Sequence, residues 1–410
     1  MATLVNTLKS DSVPDVVFAE VLRPNSYGKK YIKTYDAILI GGGAAGAYCG
    51  YCLARQGLQV VILDHSHPRE KICGGVISNR AFKKFPIIQA VPYTFDVRNP
   101  LEIISPSGQK VVFDRNRGHS ISRRILDRHL LDSAISLGCK LIPEKALTVS
   151  NENGLWVVKT EERELRARIL IGADGANSIV RKSVAKPFDN SDLAMGIEYL
   201  TEQTGDNFSK MQFLDSRKGY FWKVNRGTYT SVGIIDALSS ATSLRADLDK
   251  YLHNLKPGVR PLLRMSALVP RASTSEFFLS PCSGKNWLLI GDAAGHVHPL
   301  TGEGVLYALW SAELASQAIC AGDTRLYDSF WREEYGNELV KAVVAQKILY
   351  SRNTLDTMFW FSARSTTLSD IVFTLLSGDA TANSAWARTL LNVPKIGLEA
   401  VIRGVRTAFA

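Results

Sequence analysis

Three glycines and one aspartate near the start of the chain have the spacing of a dinucleotide-binding turn. In "YDAILIGGGAAGAYCGYCLARQGLQVVILD", Gly41, Gly43 and Gly46 form G-x-G-x-x-G, and Asp64 ends the stretch. The first glycine of such a motif makes the turn, the second lets backbone approach a pyrophosphate, and the third lets a helix pack on a strand. Asp64 follows the motif at about the distance at which an acidic residue binds a ribose hydroxyl of the dinucleotide. The spacing therefore favours dinucleotide binding over an ordinary glycine turn.

The residues around this turn predict a βαβ unit. An apolar strand begins at Tyr35, a helix of small residues follows the glycines, and a second apolar strand ends the stretch. The helix begins near Ala44 and Ala45, where unpaired N–H groups face the phosphates. Cys49 and Cys52 form C-x-x-C on one face of this helix. We interpret them as small residues that pack against the sheet rather than as a redox pair.

Two later segments place aspartates at the ends of apolar strands. "ARILIGADGANSIVRK" ends its strand at Asp174-Gly175, and "KNWLLIGDAAGHVHPLTGEGVLYALW" ends its strand at Gly291-Asp292, before a glycine-rich turn and a long helix. A third segment, "GHSISRRILDRHLLDSAISLG", predicts a short strand and then a helix with Arg123 at its start. On its own, an arginine there is equally well a phosphate ligand or a surface cap.

The glycine turn, the D-G step and the G-D step together resemble the three fingerprints of FAD-dependent oxidoreductases that share the fold of p-hydroxybenzoate hydroxylase. The resemblance implies that Asp292 binds the ribityl chain and that Arg123 reaches the phosphate or ribityl region. It also implies that the helix after Gly302 directs its positive end at the isoalloxazine. The expected FAD contacts are Gly41, Gly43, Ala44, Ala45, Gly46, Asp64, Cys73, Gly74, Gly75, Arg123, Asp174, Gly175, Gly291, Asp292, Gly302, Gly304 and Val305.

The chain also contains K-x-C-G-G just after the second strand, at Lys71, Cys73, Gly74 and Gly75. This segment resembles the geranylgeranyl reductase branch of the same superfamily, which saturates double bonds in isoprenoid chains. The resemblance implies a loop at the edge of the flavin, with glycines that let backbone come close and a thiol that faces the substrate cavity. It implies that the chain is an FAD-dependent reductase of an isoprenoid lipid.

A second signature of that branch, Y-x-W-x-F-P, is kept only in part. "GYFWKVNRGTYTSVGI" retains Tyr220 and Trp222 but has Val224-Asn225 in place of Phe-Pro. Alternation along a strand puts Tyr220, Trp222 and Val224 on one face, as a sheet that roofs the flavin requires. We predict that these three side chains bind substrate. The alternative is that they belong to an ordinary core.

The implied reaction transfers a hydride from N5 of the reduced flavin to a carbon–carbon double bond while an acid protonates the other carbon. Cys73 is the first candidate for that acid, because a thiol with an ordinary pKa of about 8.5 is protonated at neutral pH. A small residue selected for its fit is the alternative. Glu303 is the second candidate, although helix N-termini favour acidic residues on electrostatic grounds alone. His296 and His298 have no accompanying cluster of ligands and predict no metal site.

Two other functions remain open. The same fold hosts flavin-dependent aromatic monooxygenases and halogenases. Asn225 stands where the Y-x-W-x-F-P pattern has proline, and this departure keeps a monooxygenase or halogenase as an alternative. An electron-transfer flavoprotein without a small substrate is the other, although such a carrier needs no roof domain of this size. No second G-x-G-x-x-G follows a strand. We therefore expect an external reductant that binds transiently, either NAD(P)H or a protein such as ferredoxin.

Composition and charge set further limits. The chain has 410 residues, of which 46% are hydrophobic and 21% charged, as in an ordinary globular protein of two or three lobes. No window reaches the roughly 18 apolar residues of a membrane span, and the N-terminus does not resemble a leader. We expect a cytoplasmic protein with reduced cysteines. The net charge of +10 suits an anionic membrane surface or a phosphorylated ligand, and no nucleic-acid motif accompanies it.

We predict an α/β fold, α+β overall, in which a Rossmann-like FAD-binding domain carries a β-sheet substrate domain and a C-terminal helical region. The expected parts are an N-terminal arm at 1–34, an FAD-binding domain from 35–100, 118–185 and 280–322, a substrate domain from 101–117 and 186–279, and helices at 323–410.

The last predicted helix has an apolar stripe with charged residues opposite. The stripe consists of Leu398, Val401, Ile402, Val405 and Phe409. Such a stripe either lies on a membrane surface, where a prenyl lipid is collected, or docks on the core of the same protein. The sequence leaves both alternatives open, and peripheral membrane contact is therefore an expectation.

Overall fold

The computed structural model describes residues 33–92, 94–96, 100–115, 118–204, 208–215 and 219–408. The predicted arm at 1–34 lies outside them except for its last two residues. The described part of the chain combines a Rossmann-like sheet, a second sheet and C-terminal helices, which confirms the predicted fold class. The first strand begins at Thr34, one residue before the predicted start.

The strands range from two to ten residues, and most are rich in apolar and β-branched residues, which suit a pleated and half-buried surface. In the described residues they are β1 (Thr34–Ile40), β2 (Val60–Leu63), β3 (Val76–Ile77), β4 (Phe95–Asp96), β5 (Leu101–Ile104), β6 (Lys110–Phe113), β7 (His119–Ser120), β8 (Lys140–Ile142), β9 (Thr148–Glu152), β10 (Leu155–Lys159), β11 (Glu164–Gly172), β12 (Leu193–Glu202), β13 (Ser209–Phe213), β14 (Tyr220–Arg226), β15 (Tyr229–Ala237), β16 (Pro261–Pro270), β17 (Ser283–Gly284) and β18 (Trp287–Leu289).

The helices connect these strands and then form the C-terminal part of the described chain. They are α1 (Ala44–Arg55), α2 (Asn79–Lys84), α3 (Pro86–Gln89), α4 (Arg123–Ser136), α5 (Ile179–Val184), α6 (Ala241–Leu255), α7 (Val305–Cys320), α8 (Leu326–Trp331), α9 (Asn337–Leu349), α10 (Arg352–Ser362), α11 (Thr366–Leu376), α12 (Ala382–Leu391) and α13 (Val393–Ala408). None of the described helices is both long and apolar enough to cross a bilayer.

The first sheet has the Rossmann arrangement. Its central strands run parallel in the order β18, β11, β1, β2, β8. Helix α1 packs against both α4 and α7 beside this sheet. The glycine turn follows β1, the D-G step follows β11 and the G-D step follows β18. All three fingerprints therefore lie at the carboxyl edge of one parallel sheet, where folds of this type bind ligands.

The second sheet has the strand order β16, β12, β15, β14, β13, β5, β6 and is antiparallel except where β13 runs parallel to β5. Phe221 and Ile234 on one face pack with Leu244 and Leu248 of α6. Because side chains alternate along β14, the other face carries Tyr220, Trp222 and Val224. A small third sheet joins β3, β7 and β4. The boundaries that we assign to the domains remain a prediction.

Helices α10, α11 and α13 pack on the end of the second sheet made by β5, β6 and β13. Helix α13 contacts its neighbours through Ile396 and Ala400, which are buried. Its predicted apolar stripe instead faces solvent, since Leu398, Val401 and Ile402 are all exposed. The stripe therefore does not dock on the core as one alternative required.

Two further positions of α13 bear on the predicted stripe. Glu399, one of the charged residues opposite the predicted stripe, accepts hydrogen bonds from Ser365 Oγ at 2.6 Å and from the Thr367 N–H at 3.1 Å. These contacts tie α13 to the start of α11. Phe409 and the side chain of Val405 lie outside the described residues.

Candidate active site

A cavity of about 310 Å³ lies where the carboxyl edge of the first sheet meets the second sheet and α11. The structure brings most of the sequence-predicted site residues to its wall. Those that line it are Gly43, Ala44, Ala45, Cys73, Gly74, Arg123, Gly175, Tyr220, Trp222, Val224, Asp292, Gly302, Glu303, Gly304 and Val305. The others stand behind the wall and shape it: Gly41, Gly46, Asp64, Gly75, Asp174 and Gly291.

The glycine turn separates crowded positions from an open one. A Cβ added at Gly46 would lie 1.9 Å from the Gly41 carbonyl oxygen, and one at Gly41 would lie 2.3 Å from the Ala173 carbonyl oxygen. Gly41 also has a positive φ of 99°, which other residues rarely adopt. A Cβ at Gly43 would meet only Asp127 Oδ2, at 3.7 Å. The protein therefore leaves space beside Gly43, at the N-terminus of α1.

Asp64 closes the turn from behind. Its carboxylate accepts hydrogen bonds from the Gly42 N–H at 2.8 Å and from the Ser66 N–H at 2.8 Å. Burial by itself raises the pKa of Asp64, but the hydrogen bonds from Ser66 and Gly42 outweigh it and hold the pKa below its ordinary value. The side chain is therefore an anion that fixes the backbone of the glycine turn.

Asp174 and Gly291 support the same edge of the sheet. Asp174 Oδ2 accepts a hydrogen bond from the Ile179 N–H at 2.7 Å, whereas its buried Oδ1 has no partner in the structure. Burial raises the pKa of Asp174. Gly291 has a positive φ of 56°, and a Cβ there would lie 2.9 Å from the Cβ of Ala45 in α1. A larger residue would push α1 away from the G-D step.

Two ion pairs carry the charge of the site. Arg123, buried at the start of α4, donates to both carboxylate oxygens of Asp127 at 2.9 and 2.8 Å. Lys71 Nζ lies 2.9 Å from Asp292 Oδ2. Burial tends to raise the pKa of Asp292, but Lys71 and then Arg123 hold it below its ordinary value. The K-x-C-G-G loop is thus tied to the G-D step by a salt bridge.

These features fit an FAD. The N-termini of α1 and α7 meet at one cavity, so two sets of unpaired N–H groups and two positive helix ends are available to phosphates and to a negatively charged ring. The open side of Gly43 gives backbone access. Lys71 and Arg123 line the cavity as cations, each paired with a carboxylate.

The Cys73 loop forms the boundary between the two parts of the cavity. The Cys73 N–H donates to Glu198 Oε2 at 3.0 Å, and its carbonyl accepts from Arg226 Nη2. The Gly75 N–H donates to Cys73 Sγ at 3.4 Å. Gly74 has no neighbour within 4 Å of an added Cβ, while Gly75 has a positive φ of 75°. The loop is thus held from the side of the second sheet.

Glu303 precedes α7 and faces the C-terminal helices. Its carboxylate accepts a hydrogen bond from Ser78 Oγ, and a Cβ added at Gly378 would lie 2.9 Å from Glu303 Oε2. Burial raises the pKa of Glu303 to about 7, against the lowering effect of Ser78 and Arg80. A carboxyl group with this pKa is able to donate a proton near neutral pH.

The predicted roof strand lies over the cavity. Tyr220, Trp222 and Val224 all line it, and Trp222 Nε1 donates to Ser231 Oγ at 2.9 Å. A Cβ at Gly302 would lie 3.2 Å from the Tyr220 hydroxyl, so the roof approaches the turn before α7. Burial raises the pKa of Tyr220 to about 12, and Cys73 adds to this.

Sequence reasoning missed the apolar end of the cavity. Leu101 and Ile103 of β5, Phe113 of β6, Met211 of β13 and Phe373 of α11 line it. The Phe113 and Phe373 rings have centroids 5.6 Å apart. Nothing in the sequence marked these residues, because an apolar position that lines a cavity has the same pattern as one that fills a core.

The sequence also did not reveal the roles of three charged residues that hold the site. Lys71 was visible only as part of the K-x-C-G-G motif. Glu198 lies inside the apolar strand β12 and Arg226 ends β14, and both are buried. A charge inside an apolar strand is a usable signal, because burying it is costly unless a partner is present.

The histidines contribute to packing beside the site. His296 Nδ1 lies 2.9 Å from the Tyr335 hydroxyl, and burial lowers the pKa of His296 to about 3. Burial also lowers the pKa of His298 to about 4. Within the part of the chain that the structure describes, no group of three or more ligating side chains surrounds a metal position.

Cys49 is fully buried in α1, and burial raises its pKa well above the ordinary value.

The chain is similar in sequence to known proteins. The family of NAD(P)-binding Rossmann-like domains matches residues 39–104. Geranylgeranyl diphosphate reductase of Rhodobacter capsulatus is 29% identical over 333 residues, which are 74% of this chain and 81% of that protein. Digeranylgeranylglycerophospholipid reductase of Methanocaldococcus jannaschii is 26% identical over 350 residues, or 77% of this chain and 86% of the relative.

Solved structures share the fold. A geranylgeranyl bacteriochlorophyll reductase-like protein from Thermoplasma acidophilum superposes with a TM-score of 0.72 at 21% identity, covering 90% of this chain and 99% of that one. A flavin-dependent brominase superposes with a TM-score of 0.65 at 17% identity, covering 89% and 98%. The sequence relatives, together with the FAD fingerprints at the edge of the first sheet, identify the chain as an FAD-dependent oxidoreductase that is similar to geranylgeranyl reductases.

Proposed function

We propose that this protein is an FAD-dependent reductase that saturates carbon–carbon double bonds of a geranylgeranyl-type isoprenoid lipid. The observation that carries the proposal is the composition of the cavity described above. One end has the helix N-termini and charges that suit a flavin dinucleotide, and the other end is walled by Leu101, Ile103, Phe113, Met211 and Phe373. The names of the two sequence relatives add that proteins with this sequence pattern act on geranylgeranyl chains.

The cofactor would be held by the residues at the carboxyl edge of the first sheet. Gly43 and the N-terminus of α1 would take the pyrophosphate, with Arg123 beside it. Asp292 and the N-terminus of α7 would face the flavin. Bound there in its reduced state, FAD supplies the hydride that an alkene needs for saturation.

The residues of the chain provide the acid and the dry surroundings. Cys73 borders the cavity between its polar and apolar ends and is our first candidate to protonate the alkene. Glu303 is the second, because its pKa of about 7 leaves a large protonated fraction at neutral pH. Tyr220, Trp222 and Val224 cover the reacting region and exclude water, which strengthens every electrostatic interaction inside it.

A lipid substrate has to reach this cavity from a membrane, and we propose that α12 and α13 contact the bilayer. Leu391 and Val401 are 82% and 64% exposed, and Leu390, Leu398 and Ile402 are exposed beside them in sequence. Lys395 and Arg403 belong to α13, the helix that carries Leu398, Val401 and Ile402. The apolar side chains of α13 are therefore accompanied by positive charge. This combination suits the interface of an anionic membrane.

Vesicle flotation tests the membrane contact. The double variant Leu391→Glu and Val401→Glu should lose binding to vesicles that contain anionic lipid. The matched control is Leu262→Glu on strand β16, which is 65% exposed but lies away from the two helices in sequence. Equal loss in both proteins, or no loss in either, contradicts the proposed surface.

The reductant is proposed to be external, either NAD(P)H or a ferredoxin-like protein, because the chain has only one G-x-G-x-x-G after a strand. Stopped-flow reduction of the bound flavin by each donor under anaerobic conditions distinguishes them. The faster donor at physiological concentration is the assigned one, and failure of both removes this part of the proposal.

A halogenase or aromatic monooxygenase is the second candidate, favoured by the brominase fold and by Asn225 in place of proline. The test is anaerobic reoxidation of the dithionite-reduced protein, followed through the flavin absorbance. Our proposal expects geranylgeranyl lipids to reoxidise the flavin without oxygen. If only oxygen reoxidises it, with turnover stimulated by small aromatic compounds or halide, the second candidate takes its place.

A further inference from the structure

A buried polar cluster in the second sheet lies directly behind the Cys73 loop. Its members are Glu198 of β12, Arg226 of β14 and Ser231 of β15, which come from three neighbouring strands. All three are buried: Glu198 and Ser231 have no exposed surface. Burying such groups is costly, so a cluster of this kind is retained where it performs a task.

The cluster contacts the Cys73 backbone on both sides. Glu198 Oε2 accepts the hydrogen bond of the Cys73 N–H at 3.0 Å. The Arg226 guanidinium donates through Nη2 to the Cys73 carbonyl. The residue is thus held at its donor and at its acceptor by two side chains of the second sheet, more than 100 residues further along the chain.

Arg226 also explains the last glycine of the motif. A Cβ added at Gly75 would lie 2.2 Å from Arg226 Cζ, and Gly75 has a positive φ of 75°. The guanidinium therefore packs flat against the place where any other residue would carry its side chain. By contrast, a Cβ added at Gly74 would have no atom within 4 Å, and Gly74 lines the cavity.

Glu198 further joins the loop to the roof strand. Ser231 Oγ donates to Glu198 Oε1 at 2.5 Å, and it accepts the hydrogen bond of Trp222 Nε1 at 2.9 Å. The Glu198 carboxylate therefore contacts the Cys73 N–H through Oε2 and the Ser231 hydroxyl through Oε1. That hydroxyl in turn holds Trp222 in the cavity wall. The orientation of Trp222 and that of the Cys73 loop depend on the same group.

The two charges balance each other inside the sheet. Arg226 Nη2 lies 3.5 Å from Glu198 Oε1. Burial raises the pKa of Glu198, and Arg226 opposes that effect. Removal of one partner leaves an unpaired buried charge, whereas removal of both leaves a neutral site. An informative variant therefore changes both residues together.

We propose that Glu198 and Arg226 are positioning residues that fix the Cys73 thiol at the boundary between the cofactor end and the apolar end of the cavity. Their effect on turnover rests on the proposed reductase function. Their effect on the thiol does not, because the contacts act on the Cys73 backbone whatever reaction the cavity performs.

The experiment compares the wild-type protein with the double variant Glu198→Gln and Arg226→Gln by iodoacetamide alkylation, read cysteine by cysteine through peptide mass. The amide oxygen introduced at position 198 can still accept the Cys73 N–H, whereas the shorter side chain introduced at position 226 no longer reaches the Cys73 carbonyl. Loss of that contact frees the loop, and Cys73 should react roughly tenfold faster, the effect of about one buried hydrogen bond. Exposed Cys320 is the internal control and should react at an unchanged rate. Buried Cys49 should stay unmodified, which reports that the fold is intact.

An unchanged or lower Cys73 rate, with Cys49 still protected, overturns the proposal. If Cys49 becomes modified, the variant has unfolded, and Ser231→Ala then provides the test. It removes one hydrogen bond to Glu198 without changing charge and should raise the Cys73 rate severalfold. An unchanged rate in Ser231→Ala likewise overturns the proposal.

The kinetic arm separates this inference from the proposed function. With an isoprenoid substrate, the double variant should lose kcat by about tenfold or more because the acid is displaced, and KM for the lipid should change less, since Trp222 is the only wall residue linked to Glu198 through Ser231 among the contacts described above. If wild-type protein reduces no lipid but Cys73 still reacts faster in the variant, the reductase proposal fails and the positioning inference stands.

Discussion

The two ends of the cavity are built in different ways. At the cofactor end, much of the wall is backbone: Gly43 and Gly304 line it, and behind it Gly41 and Gly46 leave no room for a side chain beside main-chain oxygens. At the apolar end, the wall is made of side chains such as Phe113 and Phe373, each contributed by a different element. A substitution at the first end moves the main chain, whereas one at the second end mainly changes the volume.

This difference determines what each end is able to recognise. Backbone groups at fixed spacing bind a ligand that does not vary. A substitution there should therefore either leave cofactor binding intact or abolish it. Side chains on separate elements can exchange size without moving the frame, so they are suited to set which lipid fits. We therefore expect effects to decrease from the glycine turn, through the residues at the boundary, to the apolar wall.

The largest effect is expected at the glycine turn. Gly41→Ala places a Cβ 2.3 Å from the Ala173 carbonyl oxygen and requires a positive φ of 99°. The variant should retain no FAD after gel filtration. Gly57→Ala is the matched control, because Gly57 also has a positive φ, of 80°, but no atom within 4 Å of the added Cβ.

Gly57→Ala should keep its FAD and lose only about 1–2 kcal/mol in the free energy of unfolding, the cost of a left-handed backbone for alanine. Flavin absorbance of the eluted protein and denaturant unfolding provide both numbers. Retention of FAD by Gly41→Ala would mean that the turn is not the backbone cradle described here.

Next in size is the boundary residue Cys73. Cys73→Ala should bind FAD normally but reoxidise with isoprenoid lipid about 10²–10⁴-fold more slowly, the range lost with a general acid. The measurement is single-turnover reoxidation of the reduced flavin without oxygen. Cys320→Ala, an exposed cysteine at the end of α7, should match wild type. Equal rates in the two variants would assign the proton to another group.

Glu303 should show its role through pH. Its pKa is raised from an ordinary 4.5 to about 7, so the group is a protonated acid below pH 7 and an anion above. The reoxidation rate should therefore fall as pH rises through about 7. Glu303→Gln cannot ionise and should lose this dependence, with a rate about 10²-fold below wild type at pH 6. A wild-type profile that is flat between pH 6 and 8 would exclude Glu303 as the acid.

The same shift predicts a change in stability. Because the folded pKa lies above the unfolded one, the stabilisation from protonated Glu303 is complete below pH 4.5 and is lost as pH rises to about 7. The unfolding midpoint of wild type should therefore decrease across this window relative to Glu303→Gln. Parallel curves would show that the carboxyl group titrates normally.

The smallest effect is expected at the apolar wall. Phe113→Leu should raise KM for a geranylgeranyl chain severalfold and change it less for a shorter geranyl chain, since only the longer chain reaches that wall. Val112→Leu is the control, because Val112 is the neighbouring residue on the exposed face of β6. Equal shifts for both chain lengths would place the chain elsewhere.

The cofactor end was largely predictable from sequence. Its fingerprints are local in sequence, since each directly follows one strand and Gly41, Gly43 and Gly46 lie within six residues. Asp174 and Asp292 were found in the same way, as polar residues that end apolar strands. The parallel order of β1, β11 and β18 then brings three distant segments to one edge.

The apolar end and the supports of the Cys73 loop were not predictable to the same degree. Phe373 lies in an amphipathic helix whose pattern is that of any packed helix, so only the docking of α11 on β6 reveals its position. Lys71 pairs with Asp292, and Glu198 accepts a hydrogen bond from Cys73, although more than 100 residues separate the two partners in each case. No local sequence pattern encodes such a pairing. The orientation of α13 was also ambiguous, because its apolar stripe proved to be the exposed side.

The most direct test of the account is the mass of the lipid after a single anaerobic turnover of the dithionite-reduced protein, with excess dithionite removed. We predict that a geranylgeranyl lipid gains two hydrogen atoms for each flavin reoxidised. Unchanged lipid mass, with the flavin remaining reduced until oxygen is admitted, would contradict the assignment of the cavity to alkene reduction.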